Sequence, residues 1–164
     1  PPQEGPDVRE LQEAINALAH HYEFPLWAVK ADGELGPNTL RGARRAAWLI
    51  DSADDLEVSP LRGDGITHGT PTWIWCVAVD GELYVRGYNG TSSRWYQAAM
   101  ARPEGRIHAA GQALEVIFEA APRELADAID DAYRAKYGTS PYLAPMISAR
   151  ARAACVRIRP RRLE

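Results

Sequence analysis

Long apolar runs are missing from this sequence. No stretch approaches the roughly 20 residues that a bilayer-spanning helix requires, so no membrane partner is expected. Cysteine is scarce as well: Cys76 and Cys155 are the only two in 164 residues. They lie far apart, and each sits in an apolar, strand-like run. Without a Cys-x-x-Cys spacing a structural zinc site is not expected; two buried thiols in a reducing cytoplasm are. Histidine is limited to His20, His21, His68 and His108, with no His-Glu-x-x-His helix of the zinc hydrolases. A Gly-x-Ser-x-Gly elbow and a phosphate-binding P-loop are also absent. Asp127, Asp130 and Asp131 match no calcium loop and read as a solvated acidic face, so no metal is expected. Charge of one sign is not in excess either. The 19 Lys and Arg stand against 22 Asp and Glu, a net charge of -3, which draws the chain to neither nucleic acid nor anionic membrane. The chain opens on Pro1 rather than Met. The expectation is a processed or trimmed product, in which a former signal peptide would leave no trace.

What is present is ordinary in bulk. Hydrophobic residues make up 46% and charged residues 25%, as in a globular domain with or without a small appendage. Residues 1 to 50 read as helical. Asp7 and Glu10 have capping-box spacing, and Val8, Leu11, Ile15, Leu18 and Tyr22 form one apolar stripe. The loop "KADGELGPNT" then leads through Pro37 into a second helix running to about Ile50. From Asp51 the pattern turns to strands, which divides the chain into a helical lobe, 1–50, and a second domain, 51–164. "LEVSPL", "TWIWCVAV" and "ELYVRGYN" read as strands, the last two joined at the hairpin turn Asp80-Gly81. "SRWYQAAMA" reads as a helix stopped by Pro103. Strands at "RIHAAG" and "LEVIFEA" follow. Pro122 then opens a helix with Leu125, Ile129, Tyr133 and Tyr137 at every fourth position. "PYLAPM" reads as a turn and "ACVRIRP" as a last strand. The fold class is α+β, with a barrel-like antiparallel sheet and inserted helices.

The richest segment is residues 71 to 96, which hold three of the five tryptophans together with Tyr84, Tyr88 and Tyr96. A two-residue turn at Asp80-Gly81 fixes the register: Val77 faces Tyr84, Trp75 faces Arg86 and Trp73 faces Tyr88. The opposite face, Ile74, Cys76, Ala78, Leu83 and Val85, is small and aliphatic and points into the barrel. The aromatic face lies outside that core. It is either covered by the helix at residues 93 to 101 or is a platform for a small planar anionic ligand. The loop before it, "SPLRGDGITHGTP", offers glycines, hydroxyls, Arg62 and His68. Such a loop suits phosphate oxygens, with Arg62, Thr67, His68 and Thr70 as the contacts. Trp73, Arg86, Tyr88 and Asn89 would flank the ring, with Arg94, Trp95 and Tyr96 closing the site. Asn89-Gly90-Thr91 reads as a tight turn. The C-terminal run from Arg150 to Arg162 holds six arginines. Arg157 and Arg159 fall on one side of what reads as an exposed edge strand kept soluble by charge.

Three resemblances are carried by particular residues. "LQEAINAL" and "DGELGPNTLRGARRA", with Asp32, Gly33, Gly36, Pro37 and Thr39, resemble the peptidoglycan-binding repeat of cell-wall hydrolases over residues 8 to 50. This implies a wall glycan as partner and association with the cell envelope; otherwise the expected location is the cytoplasm. "DDLEVSPLRGDGITHGTPTWIW", "LYVRGYNGTSSRWYQAA" and "SPYLAPMISARARAA" resemble an uncharacterised bacterial family over about residues 54 to 160. More distantly, Gly69-Thr70-Pro71, Gly90, Trp95, Ala101-Arg102-Pro103 and Pro160 follow the order of parts in split-barrel flavoproteins. Those include deazaflavin-dependent nitroreductases and pyridoxamine-phosphate oxidases. That likeness implies a split β-barrel of the FMN-binding kind, FMN or a deazaflavin as cofactor, and oxidoreductase activity. The nitroreductases carry more basic residues in the loop before the proline, where this chain has Arg62 and His68 only. The alternative is a non-catalytic binding module, associated with wall glycan through residues 8 to 50. A homodimer is compatible with either reading.

Overall fold

The computed structural model describes residues 50–161, residues 47 and 48, and a short antiparallel pair, β1 (Gln3–Glu4) with β2 (Glu34–Leu35). The remainder of residues 1 to 50, including the first expected helix, most of the second and most of the peptidoglycan-type repeat, lies outside the described residues; Ala47, Trp48 and Ile50, at the end of the second, are helical.

Seven further strands form one sheet. They are β3 (Glu57–Pro60), β4 (Thr72–Trp73), β5 (Cys76–Val79), β6 (Glu82–Arg86), β7 (Glu104–Ala109), β8 (Gln112–Ala120) and β9 (Cys155–Pro160). The order is β4-β3-β7-β8-β9-β6-β5, and every pair is antiparallel. Two local signals fix much of it. Asp80 and Gly81 both take positive φ, 52° and 77°, as a tight two-residue hairpin requires. Ala110 (51°) and Gly111 (74°) do the same between β7 and β8.

The sheet curls into a half-barrel, and its closure comes from one short run. Thr72–Trp73 pairs with β3 at one edge, while Cys76–Val79 pairs with β6 at the other. Only Ile74 and Trp75 separate them, and the Ile74 N–H donates to the Leu56 carbonyl at 3.0 Å. "TWIWCVAV" is therefore two edge strands rather than one. The expected pairings of Trp75 with Arg86 and Trp73 with Tyr88 do not form. The ladder ends at Cys76–Val85, and Trp73 pairs with Glu57 instead.

The strand alternation sorts side chains into two clusters. Ile74, Cys76, Leu83 and Val85 face the inner core with Val58, Phe118 and Ile158. Ala47 and Ile50 are buried in the same cluster, so the core of the sheet also draws on residues before Asp51. Val77 and Tyr84 face the other way, with Trp75 packed beside them. Helix α2 (Ala126–Tyr137) and the short helix α3 (Leu143–Met146) cover that side with Ile129, Tyr133, Tyr137 and Met146. Burying a side chain such as Ile129 contributes about 1.5–3 kcal/mol.

Three sequence expectations change here. Helix α1 (Arg94–Ala101) does not cover the aromatic face; its Trp95, Tyr96 and Ala99 pack on the inner cluster. The "PYLAPM" segment contains helix α3 rather than a simple turn. Strand β9 is not an edge but lies between β8 and β6. Its outward arginines are answered by acids on both neighbours, Arg157 by Glu119 at 2.9 Å and Arg159 by Glu82 at 3.5 Å. Helix α4 (Ala149–Ala153), capped by the Ser148 side chain, leads into this strand. Among the described residues, no helix is long and apolar enough to cross a membrane.

Candidate functional site

A cavity of about 600 Å³ opens beside the run that closes the sheet. Four segments build it: residues 72–75 between the two edge strands, Arg86, Tyr88 and Asn89 after β6, Ser93 to Trp95 at the start of α1, and Tyr142 with Met146 around α3. The second segment is brought back by a tight turn. The Gly90 N–H donates to Gly87 and the Ser93 N–H to Gly90 (2.9 and 3.1 Å), with Gly90 at φ 65°. A Cβ at Gly90 would lie 2.5 Å from Arg150 Cγ, so both space and backbone angle call for glycine there.

The floor is rigid and the rim is open. Trp75 stacks on Tyr137 at 3.9 Å with the rings 3° from parallel. The Tyr137 hydroxyl donates to Asp54 at 2.7 Å. Beside it, Lys136 Nζ donates to the Asp51 carboxylate (2.9 Å) and to the carbonyls of Asp51 (2.7 Å) and Cys76 (2.8 Å). Burial pushes the Cys76 thiol up to about 12, outweighing the nearby Lys136 cation, so the group is an inert thiol. Trp73 (54% exposed), Tyr88 (42%) and Tyr142 (60%) form an aromatic rim at the mouth. Arg150 stands over the Tyr88 ring, 5.6 Å from its centroid.

Arg86 belongs to the floor and is fully buried. Its guanidinium donates to Asp130, to the Met146 carbonyl (3.1 Å) and to the Ala126 carbonyl (3.2 Å). Asp130 is itself buried and takes a second arginine, Arg152, whose Nε lies at 2.9 Å. Burial alone would raise the Asp130 carboxyl, but the bonds from Arg152 and Arg86 outweigh it and hold it below its ordinary value. This corrects the reading of Asp127, Asp130 and Asp131 as one solvated face: Asp130 is the anion around which two arginines close. Among the described residues, no group of His, Cys, Asp and Glu is placed to hold a metal ion.

The structure brings together Trp73, Arg86, Tyr88, Asn89, Arg94 and Trp95 in this one cavity. Tyr96 packs on the inner core instead. Arg62, Thr67, His68 and Thr70 do not line the cavity. Their loop folds on itself around Asp64, whose carboxylate accepts from the N–H groups of Ile66 (2.9 Å) and Thr67 (2.8 Å) and from the Thr67 hydroxyl. Those bonds, led by the hydroxyl, hold Asp64 down at about 2. His68 bridges back to Leu61, with its Nε2 3.7 Å from Glu115. Sequence reasoning missed Thr72, Ile74, Ser93, Tyr142 and Met146 as lining residues. It placed Trp75 on the aromatic face but not in the site.

Residues 46–158 match the model of a family described as "Uncharacterized protein conserved in bacteria (DUF2255)". The chain belongs to DUF2255. No curated protein matches it. Among solved structures it is similar to the conserved hypothetical protein Rv2991 of Mycobacterium tuberculosis. The identity is 15% and the TM-score 0.52, over 72% of this chain and 79% of that one. That likeness speaks to the fold. The DUF2255 match takes in every residue that lines the cavity, from Thr72 to Met146.

Proposed function

We propose that the cavity binds a planar anionic cofactor of the flavin or deazaflavin class, that the half-barrel is a split barrel of the flavin-binding kind, and that the protein is an oxidoreductase. One observation carries the reading. The twelve lining residues include three tryptophans, two tyrosines and two arginines, and no acid at all. Aromatic faces suit a flat ring, and Arg94, which no carboxylate neutralises among the described residues, suits an anionic tail. The volume lies within the range usual for small-molecule sites, about 300–1,000 Å³. The lining holds no carboxylate, histidine or lysine, so it is ill suited to general acid–base work and better suited to holding a reactive ring. Once bound, such a cofactor supplies the hydride chemistry itself. Trp75, fixed by its stack on Tyr137, orients the ring, while Trp73, Tyr88 and Tyr142 shield it from water.

The test is spectroscopic. Freshly purified protein should be coloured, or should take up FMN or a deazaflavin with a shifted visible spectrum. Bound ring should also quench tryptophan emission, because Trp73, Trp75 and Trp95 line the cavity. Colourless protein whose emission ignores saturating flavin and deazaflavin would refute the proposal and favour a non-catalytic binding module.

A further inference from the structure

We propose that the anionic group of the ligand is held at the start of α1 by Arg94, with Ser93 beside it, and not by the loop of residues 61 to 70. This rests on the cavity being the ligand site. The inference follows from asking which cations are free to take an anion. Arg157 and Arg159 are matched by Glu119 and Glu82. Arg62 sits in a loop where the Ile66 and Thr67 N–H groups and the Thr67 hydroxyl are already taken by Asp64, a carboxylate that stays ionised and repels a second anion. Arg86 is neutralised by Asp130, although its buried Nε has no hydrogen-bond partner and Arg86 forms part of the cavity wall.

Arg94 differs from all of these. It lines the cavity, is exposed, and has no ion pair among the described residues. It also stands where a cation is electrostatically misplaced. The first turn of a helix carries partial positive charge and favours acids, whereas α1 has none there and begins with an arginine. Ser93, its N-cap residue, makes no side-chain capping bond, so the first N–H groups of the helix lack that usual acceptor. Ser93 and Trp95 line the same cavity. An uncapped helix start and an adjoining unpaired arginine repel each other when empty. A bound phosphate relieves both at once, and the partnerless Nε of Arg86 belongs to a residue of the same wall. The ligand class is therefore a planar ring bearing a phosphate, with the phosphate at the start of α1.

Ring-matched probes test this. FMN and riboflavin, and the corresponding phosphorylated and unphosphorylated deazaflavins, are titrated against wild type, Arg94→Ala, Arg94→Lys and Arg62→Ala by tryptophan quenching at two salt concentrations. Wild type should bind the phosphorylated member of a pair roughly tenfold or more tightly, and added salt should erode that margin. Arg94→Ala should remove the margin while leaving the unphosphorylated ring unaffected. Arg94→Lys should restore part of it, and Arg62→Ala should change nothing. Ring binding without a phosphate preference overturns the subsite and leaves the cavity reading standing. A preference that survives Arg94→Ala but falls with Arg62→Ala returns the anion to the loop. No binding of any probe overturns both readings.

Discussion

Replacing Arg86 by methionine tests the buried centre beneath the cavity. Methionine keeps much of the length and removes only the charge and its donors. The change deletes the bond to Asp130 and leaves the Met146 and Ala126 carbonyls without their guanidinium donors. Removing one partner of a buried ion pair costs about 3–5 kcal/mol, because the other charge is left without compensation. Here Asp130 keeps Arg152, so the lower end applies, about 3 kcal/mol. For a chain of this size each kcal/mol moves the midpoint by about 2–4 °C, giving a fall in Tm of about 6–12 °C. The pH dependence follows from the lowered carboxyl of Asp130. A group whose folded pKa lies below its unfolded value of 3.8 stabilises above that value and loses the contribution as pH falls through the folded one. The gap between wild type and Arg86→Met should thus be full at pH 7 and shrink below about pH 4. Arg86→Met with Asp130→Asn should cost less than the sum of the two single changes, because neither buried charge is then stranded. Thermal melts at pH 7 and urea denaturation across pH 3 to 8 together measure all three. A single variant that melts within about 2 °C of wild type, or a gap that ignores pH, would refute the idea that this pair holds the floor.

Two further outcomes follow from the polar clasp behind Trp75. Lys136→Met should lose about 1.5–3 kcal/mol in urea denaturation. Removing the exposed Arg134–Asp131 pair by Arg134→Ala should cost less than about 1 kcal/mol; equal losses would show the clasp to be idle. Cys76 should ignore a thiol reagent at pH 8 until the protein unfolds, since burial keeps its thiol protonated at that pH. Rapid labelling of native protein at that residue would contradict the burial.

The elements legible in the sequence are those set by neighbours in the chain. Asp80-Gly81 defines a hairpin because few residues tolerate two successive positive φ angles, and the inward and outward facing of Cys76 and Val77 follows from it. The Ile129, Tyr133 and Tyr137 spacing marks a buried helix face in the same way. What was not legible depends on partners distant in sequence. Nothing in "TWIWCVAV" marks a break at Ile74, because the break is imposed by curling the sheet until its edges share one run. The arginines of β9 suit a charged edge as well as an interior strand flanked by Glu82 and Glu119. Asp130 resembles its exposed neighbours until Arg86 and Arg152 arrive from other elements. Tyr142 and Met146 reach the cavity from a segment whose prolines suggest only a turn.

The closure of the sheet and the making of the cavity are one event. At Ile74 and Trp75 the chain leaves one edge of the sheet and joins the other, so there the two edges meet without a continuous ladder. A sheet paired throughout would leave no cleft at that point. Here the gap is walled by the side chains of the crossing residues, and each wall is held from behind: Trp75 by Tyr137, Trp73 by a 3.4 Å bond from its Nε1 to the Asp54 carbonyl. Asp54 also accepts the Tyr137 hydroxyl, so one short segment before β3 braces both tryptophans. The cavity wall is thereby held by the protein's own contacts, and preorganisation of that kind would lower the ordering cost of binding the proposed ligand. The rim residues Trp73, Tyr88 and Tyr142 are all exposed, from 42% at Tyr88 to 60% at Tyr142. Its outer faces gain contacts only when something fills the mouth. Under the proposed function, shape selection falls to the braced floor and water exclusion to the rim.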